Sequence, residues 1–236
     1  MGPAMALWLA DDSARELLGQ LGWRDAAAAI ADPRGWTVRC TPRRRTVLQE
    51  VGLGQGLFKK LRDRGARAAR AEWHWLHELR RLGFPTVDPV CCAIVGRDSL
   101  LVTKACVGPS GDAWLARALD AVPAAIFEVA PMIARLHALG LCYRDLYWNH
   151  LVREPGRCVL LDVERVFAPR LFRSRWFVKD LAGLMSSLPL GIASRTAKLR
   201  FLRAYQGGRL APHWKAFARA VLVKAARIKA HRPKYG

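Results

Sequence analysis

The sequence predicts an α+β fold of two lobes: a small, β-rich N-terminal lobe with one main helix, and a mostly helical C-terminal lobe. Strand-like runs with a single periodic helix fill the first part of the chain, and helical runs dominate the second. Between them lies Gly-Pro-Ser-Gly at 108–111, a composition typical of a linker. We therefore expect lobes at 1–107 and 108–236, together long enough to bury a sizeable core.

The N-terminal lobe is predicted to begin with a helix and a hairpin. Residues 1–30 favour a weak helix, with Ser13 as its N-cap. The runs "GWTVRC" and "RRTVLQEV" then predict two strands of a hairpin joined around Pro42.

A longer helix and a second strand pair are expected to follow. The stretch "GLGQG" and the basic residues after it indicate a flexible link into "ARAARAEWHWLHELRRLG", whose apolar residues recur at helical spacing until Gly83. The runs "VCCAIVG" and "SLLVTKACVG" predict two apolar strands.

The C-terminal lobe is predicted to place one hairpin among helices. A strong helix, "PAAIFEVAPMIARLHALG", ends at Gly140, and the strand "CVLLDVERV" follows after a loop. From about Val178 the chain favours three helices: "VKDLAGLMSSL", "RTAKLRFLRAYQGG" and "HWKAFARAVLVKAARIKAH".

The loop between that helix and that strand, "YRDLYWNHLV", carries the chemistry. Protein kinases have H-R-D-x-x-x-x-N in their catalytic loop, and here Tyr143 and His150 replace the first and last letters. Phosphoryl transfer needs one carboxylate near the acceptor hydroxyl and a second that holds Mg²⁺ on the phosphates. Asp145 and Asp162 are the candidates, since a short hairpin between them would bring the two carboxylates together.

Charge favours an anionic partner. The formal net charge is +20 at pH 7, and no acidic residue follows Asp180. Such a field attracts polyanions, so we expect an anionic sugar or glycolipid acceptor and an anionic inner-membrane surface as partners. No nucleic-acid-binding motif accompanies the charge, and no nucleic acid is expected.

Cysteine usage and hydropathy indicate a cytoplasmic protein. None of the six cysteines forms a CxxC pair, and most lie in apolar runs, which is typical of reduced, buried thiols. No signal peptide is predicted, and the longest uncharged stretch, 181–194, is too short to span a membrane. Peripheral binding at the inner face of the cell membrane remains compatible with the basic tail.

Several segments resemble the lipopolysaccharide kinase family, the Kdo/WaaP-type sugar kinases. The loop is similar to that family's H-R-D-x-Y-x-x-H, so Tyr147 and His150 match the family's own letters. "LLDVERV" resembles the family's "LIDLHRA". Three further segments are similar: "EWHWLHELRRLGFPTVDPV", "VKDLAGL" and "RFLRAY". The resemblance runs from about residue 36 to 206 and implies a protein-kinase-like fold.

The resemblance implies an ATP- and Mg²⁺-dependent sugar kinase with assigned residues. Asp145 would be the catalytic carboxylate, with Arg144 beside it, and Asp162 would bind the metal ion. His150 stands where kinases have a second metal ligand; because Mg²⁺ prefers oxygen, it could contact phosphate or the acceptor instead. Glu72 would be the helix glutamate of the small lobe, and Asp180 would brace the catalytic loop.

One departure concerns the lysine that should bind phosphate and pair with Glu72. The family's strand resembling "FLKIH" corresponds here to "VLQEV", which places Gln49 at the lysine position. Three explanations stay open. In the first, the alignment is shifted and Lys59 or Lys60 is the phosphate-binding lysine. In the second, a cation from the hairpin, Arg39 or Arg45, takes the place of that lysine. In the third, the chain is a degenerate kinase.

Two other functions are therefore kept beside the sugar kinase. A degenerate, kinase-like protein would bind an anionic lipid or an acidic partner without phosphotransfer. A protein or small-molecule kinase of the same fold would share the catalytic residues and differ in its acceptor.

Overall fold

The computed structural model describes residues 6–52, 54–117 and 120–231. The chain divides into two compact units, Met1–Cys106 and Val107–Gly236. The first is built around a sheet, and the second is mostly helical.

The N-terminal unit contains a six-stranded antiparallel sheet in the order β1-β5-β6-β4-β3-β2. Its strands are β1 (Ala6–Ala10), β2 (Trp36–Thr41), β3 (Arg44–Glu50), β4 (Gly56–Asp63), β5 (Pro89–Val95) and β6 (Asp98–Lys104). Its helices are α1 (Arg15–Leu21), α2 (Ala26–Ala31) and α3 (Ala66–Arg81). Helices α1 and α2 share an apolar core with one face of the sheet, while α3 contacts β5 and β6.

The predicted N-terminal helix was only partly correct. Residues 6–10 form β1, which pairs with β5 at the edge of the sheet, and helix begins only at Arg15. Ser13 is not the cap: the Asp11 side chain accepts a hydrogen bond from the Ser13 backbone N–H and caps a single 3₁₀ turn. The first five residues lie outside the described part of the chain.

Strand β4 corrects the prediction of a flexible link. It lies between β3 and β6, inside the sheet. Leu57 and Lys59 face the side of α1 and α2, and Lys60 and Arg62 face α3. Charged residues on both faces hid the alternation that predicts a half-buried strand.

One buried acid and two backbone oxygens compensate the charge of Lys59, the lysine on the α1/α2 side of β4. The Lys59 ammonium donates hydrogen bonds to the carbonyl oxygens of Asp32 and Arg34, at 3.2 and 2.5 Å, and lies 3.8 Å from the Asp32 carboxylate. Burial lowers the pKa of Lys59, and Asp32 partly offsets this. Burial would raise the pKa of Asp32, but hydrogen bonds from Arg34 and Trp23 outweigh it and lower the pKa to about 2.

The C-terminal unit arranges five helices around one short hairpin. Its elements are α4 (Gly111–Arg117), α5 (Ala121–Ala138), β7 (Leu151–Glu154), β8 (Arg157–Leu160), α6 (Arg173–Ser187), α7 (Arg195–Tyr205) and α8 (Trp214–Ala230). The predicted linker at 108–111 ends where α4 begins. Helix α5 packs on α7, and α6 packs on α8.

Helix α5 forms the middle of this unit. By length and composition it is the one described helix that could cross a membrane, but Val129, Ile133 and Leu136 are fully buried, as in a core helix. An apolar cavity of about 380 Å³ opens between residues of α5, α6, α7 and α8.

Helix α6 packs against the loop at 143–150 through Gly183. A Cβ atom at this position would lie 2.3 Å from the backbone oxygen of Leu146. We expect Gly183→Ala to lower the free energy of unfolding by about 1–3 kcal/mol, because the loop or the helix must move. The midpoint of thermal unfolding, followed by circular dichroism, measures the change.

Gly19→Ala in α1 is the matched control, since a Cβ atom there meets nothing within 4 Å. That variant should be neutral or stabilised by up to about 1 kcal/mol, because alanine favours helix. Equal midpoints for the two variants would contradict the close packing of α6 on the loop.

Candidate active site

A buried carboxylate on α6 holds the loop that contains the Arg-Asp pair. Asp180 is fully buried, and its two oxygens accept hydrogen bonds from the backbone N–H groups of Tyr143 and Arg144, at 2.6 and 2.7 Å. Arg144 has a φ of 74°, a left-handed conformation that costs energy for a residue with a side chain. The two charge-assisted hydrogen bonds stabilise this strained turn.

His137 extends this network toward the C-terminal helices. Its Nε2 lies 3.3 Å from Asp180, and its Nδ1 lies 2.8 Å from the hydroxyl of Tyr205 at the end of α7. The Tyr205 ring in turn stacks on Phe217 of α8. A chain of contacts therefore joins the loop brace to the basic helices.

Tyr143, which replaces the kinase histidine, ties the loop to the segment that carries the second aspartate. Its side chain is buried, and its hydroxyl donates a hydrogen bond to the carbonyl oxygen of Leu161. Asp162 follows with a φ of 50°. The backbones of Cys142 and Phe167 also exchange hydrogen bonds, so both segments are fixed to each other.

His150 contacts both segments that carry a candidate carboxylate. Its Nδ1 is 2.8 Å from the backbone oxygen of Asp145, and its Nε2 is 3.8 Å from Oδ2 of Asp162. A carbonyl oxygen only accepts, so Nδ1 carries the hydrogen in this hydrogen bond, and Nε2 is the ring nitrogen on the side of Asp162. The structure thus brings together three of the residues that the sequence singled out.

Two cations beside Asp145 were not predicted. Nη1 of Arg165 donates to both Asp145 carboxylate oxygens, at 2.9 and 2.7 Å. The Lys179 ammonium donates to the backbone oxygen of Arg144 at 2.8 Å, and burial lowers the pKa of Lys179. A signal for Arg165 was present, since it aligns with the arginine of the family segment "LIDLHRA".

The N-terminal unit contains its own buried ion-pair cluster, around Glu72 on α3. Glu72 is fully buried; one carboxylate oxygen lies 2.5 Å from the Lys60 ammonium, and the other lies 3.0 Å from Nη2 of Arg62. Both partners come from β4, the strand that directly precedes α3. Such a pair is held in one geometry because separating it would leave a buried charge uncompensated.

Gln49 does not occupy the position expected of it. It lies in β3 and pairs with Leu57, so it faces the α1/α2 side of the sheet, away from Glu72. There it lines a groove of about 700 Å³, together with Arg34 and Trp36, and its buried Oε1 has no hydrogen-bond partner among the described residues. The unpredicted strand β4 explains the error, because it shifted the assignment by one strand.

The other candidate cations are also separated from Glu72. Lys59 faces the opposite side of β4 from Lys60, and Arg39 and Arg45 are exposed on β2 and β3. Of the three explanations for the missing lysine, the geometry therefore favours a shifted alignment, with Lys60 as the cation beside Glu72.

The donor atoms near Asp162 suit a metal ion whose remaining ligands come from a substrate and from water. No cluster of three or more metal-binding side chains occurs within residues 6–52, 54–117 and 120–231. Asp162 and His150 supply one carboxylate and one imidazole nitrogen. Mg²⁺ is usually held by one or two carboxylates together with substrate phosphates and water, so the sparse donor set fits such an ion.

Comparisons of the sequence point to one family. Residues 34–205 match the profile described as the lipopolysaccharide kinase (Kdo/WaaP) family. The chain is 30% identical over 220 residues to the lipopolysaccharide core heptose(I) kinase WaaP of Pseudomonas aeruginosa (strain PAO1), covering 77% of this chain and 81% of that protein.

Comparisons of the structure confirm the predicted kinase-like fold. The structure of WaaP in complex with acyl carrier protein aligns with a TM-score of 0.72 at 25% identity, covering 95% of this chain and 98% of that one. An aminoglycoside-3'-phosphotransferase of type VIII aligns with a TM-score of 0.52 at 20% identity, covering 83% and 96%. The second likeness shows the fold alone.

We expect Asp180→Asn to release part of the loop. An amide has one acceptor oxygen, so one of the two backbone N–H groups would face an NH₂ group and lose its partner. The free energy of unfolding should fall by about 1.5–3 kcal/mol, and amide hydrogen exchange should accelerate at Tyr143 or Arg144.

Tyr205→Phe is the matched control, because it removes a group from the same network without touching the two N–H bonds. It should cost about 0.5–1.5 kcal/mol and leave both amides protected. Wild-type protection of Tyr143 and Arg144 in Asp180→Asn would show that Asp180 does not hold the loop.

Proposed function

Because the chain belongs to the lipopolysaccharide kinase (Kdo/WaaP) family, we propose that it transfers a phosphoryl group from ATP to a sugar hydroxyl of the lipopolysaccharide core or of a related glycolipid. Membership of the family makes the chain a phosphotransferase. The observation that supports the proposal is that His150 contacts the backbone oxygen of Asp145 and lies 3.8 Å from the Asp162 carboxylate, so the two segments that carry the candidate carboxylates are adjacent.

Asp145 would receive the proton of the acceptor hydroxyl. A carboxylate within hydrogen-bond reach of the hydroxyl orients it for attack and takes its proton as the oxygen–phosphorus bond forms. In the structure, Arg165 engages both oxygens of this carboxylate through two hydrogen bonds from one nitrogen. The Asp180 brace keeps the loop backbone in place while the proton moves.

Lys60 would hold the phosphates of the nucleotide. Its ammonium is oriented by Glu72, and Arg62 balances the second oxygen of that buried carboxylate. This pair supports an active kinase over a degenerate one, since the cation that Gln49 could not supply is present on β4. The assignment of Lys60 replaces that of Gln49 in the proposed site.

Asp162, with His150 beside it, would hold a Mg²⁺ ion. When bound, such an ion neutralises charge on the transferring phosphoryl group. The hydrogen bond from Nδ1 of His150 to Asp145 fixes the ring, so that Nε2 faces the Asp162 carboxylate. His150 can therefore orient either the ion or a phosphate oxygen.

Helix α8 would place the enzyme at its acceptor. It carries exposed cations along its length, namely Lys215, Arg219, Arg227 and Lys229, and exposed apolar residues Leu222 and Val223. This combination suits an anionic membrane surface such as the cytoplasmic face of the inner membrane. A relative is known in complex with acyl carrier protein, so an acidic carrier protein is the competing partner for the same helix.

Asp145→Asn tests the proposed reaction. Phosphorylation of a core oligosaccharide by ATP should slow by about 10²- to 10⁴-fold, because the proton acceptor is lost, while calorimetric ATP binding in the presence of Mg²⁺ should change little. Incorporation of labelled phosphate measures the rate. Glu154→Gln, which removes another carboxylate of the same unit, should retain wild-type turnover.

Two results would contradict this assignment. Turnover of Asp145→Asn at the wild-type rate would exclude Asp145 as the proton acceptor. A wild-type protein that phosphorylates peptides or aminoglycosides, but no core sugar, would favour a kinase of the same fold with another acceptor.

Neutralising α8 tests the proposed surface. Each basic residue near an anionic membrane contributes about 1 kcal/mol, so Lys215→Gln with Arg219→Gln should weaken binding to phosphatidylglycerol-containing vesicles about 30-fold. Cosedimentation measures the binding, with pure phosphatidylcholine vesicles as reference. Arg97→Gln, which removes an exposed cation from the other unit, is the control.

The same proteins distinguish the competing partner. In one outcome, wild-type protein shows no binding to anionic vesicles and yet binds purified acyl carrier protein. If the α8 double variant then loses the binding to acyl carrier protein, a carrier protein is the partner of α8. Vesicle binding that is unchanged in the double variant would exclude α8 as the membrane contact.

A further inference from the structure

Three cationic side chains belong to or contact residues 144 and 145. Arg165 donates to both of its oxygens, and Lys179 donates to the backbone oxygen of Arg144, the preceding residue. The Trp176 ring joins the group, since the Arg144 guanidinium and the Lys179 ammonium lie 5.9 and 5.8 Å from its centre. Arg144, Arg165 and Lys179 are called the Asp145 cation cluster below.

The cluster carries more positive charge than its surroundings balance. Within the described part of the chain, Arg165 forms an ion pair with Asp145, and no carboxylate forms one with Arg144 or Lys179. Asp180 is nearby, but backbone N–H groups already occupy its oxygens. Burial lowers the pKa of Lys179, and Arg165 and Arg144 lower it further, while the nearby carboxylates of Asp145 and Asp180 partly offset these effects.

The ion pair in the cluster is suited to exchange. The side chains of Arg165 and Asp145 are 41% and 20% exposed, so their attraction is screened by water and contributes little to stability. Both Asp145 oxygens are nevertheless engaged by one nitrogen of Arg165. An incoming anion could therefore take over Arg165 at low cost and free a carboxylate oxygen for a hydroxyl.

We propose that the Asp145 cation cluster binds an oxyanion of the acceptor, a phosphate or a carboxylate carried close to the hydroxyl that is phosphorylated. The inference rests on the proposed sugar kinase activity and adds to it a second group of the acceptor that the enzyme recognises, besides the hydroxyl that is phosphorylated. Guanidinium and ammonium groups bind oxyanions through charge-assisted hydrogen bonds, and the planar guanidinium matches two oxygens at once. An acceptor with this group would draw Arg165 from Asp145, so that binding prepares the proton acceptor.

The first experiment measures binding of inorganic phosphate without any acceptor, by ³¹P line broadening and calorimetry. Arg165→Gln and Lys179→Gln should each weaken phosphate binding by about tenfold or more, because a charge-assisted hydrogen bond is lost. Lys179→Arg, which keeps the charge, should restore it. Arg170→Gln, which removes an exposed cation from the same segment without contacting the cluster, should leave it unchanged.

The second experiment compares a core oligosaccharide with its dephosphorylated and carboxyl-reduced forms. With wild-type protein, removal of the recognised oxyanion should raise KM about 10- to 100-fold. A higher KM for the dephosphorylated acceptor identifies a phosphate as the recognised group, and a higher KM for the carboxyl-reduced acceptor identifies a carboxylate. Arg165→Gln and Lys179→Gln should raise KM for the anionic acceptor by a similar factor and change it little for the neutral form.

The outcomes separate this inference from the proposed function. Phosphate binding that is the same in wild-type, Arg165→Gln and Lys179→Gln proteins overturns the cluster as an oxyanion site. If Arg165→Gln and Lys179→Gln phosphorylate core sugar but change KM equally for anionic and neutral acceptors, the oxyanion site is also overturned. The proposed sugar kinase activity is not affected by that result. Cluster-dependent phosphate binding without transfer to any core sugar supports the oxyanion site while refuting the sugar acceptor.

Discussion

The buried carboxylate of Asp180 is the constraint on which the rest of the C-terminal unit depends. It stabilises a strained turn at Arg144 by accepting two backbone hydrogen bonds, and that turn aims the Asp145 side chain. Helix α6 can supply this carboxylate only because Gly183, three residues further along, lets the helix approach the loop backbone. The loop geometry at Arg144 therefore depends on both the buried charge of Asp180 and the absence of a side chain at Gly183.

His150 connects the loop to the segment that carries Asp162. In the kinase pattern an asparagine stands at its position. The imidazole bonds to the loop backbone through Nδ1 and presents Nε2 toward Asp162. A ring with two distinct nitrogens thus links the proton-accepting and metal-binding halves of the proposed site.

The sequence was informative where motif letters or periodic apolar residues carried the signal, and misleading where charges were buried. Asp145, Asp162 and His150 were expected together, and the structure places them so. Strand β4 was missed because Lys59 and Lys60 read as solvent-exposed residues, although each is neutralised by a buried acid from a distant segment. Such compensation is a tertiary effect, and no local pattern contains it.

The same strand bears on where the folded unit begins. The family match starts at residue 34, yet Lys59 is enclosed by the carbonyl oxygens of Asp32 and Arg34 and by the Trp23 ring. Without the preceding helices, this ammonium would return to water, and Leu57 would lose its apolar neighbours. Residues before the match are therefore part of the smallest cooperative fold, and β4, the strand that bears Lys60, depends on them for part of its packing.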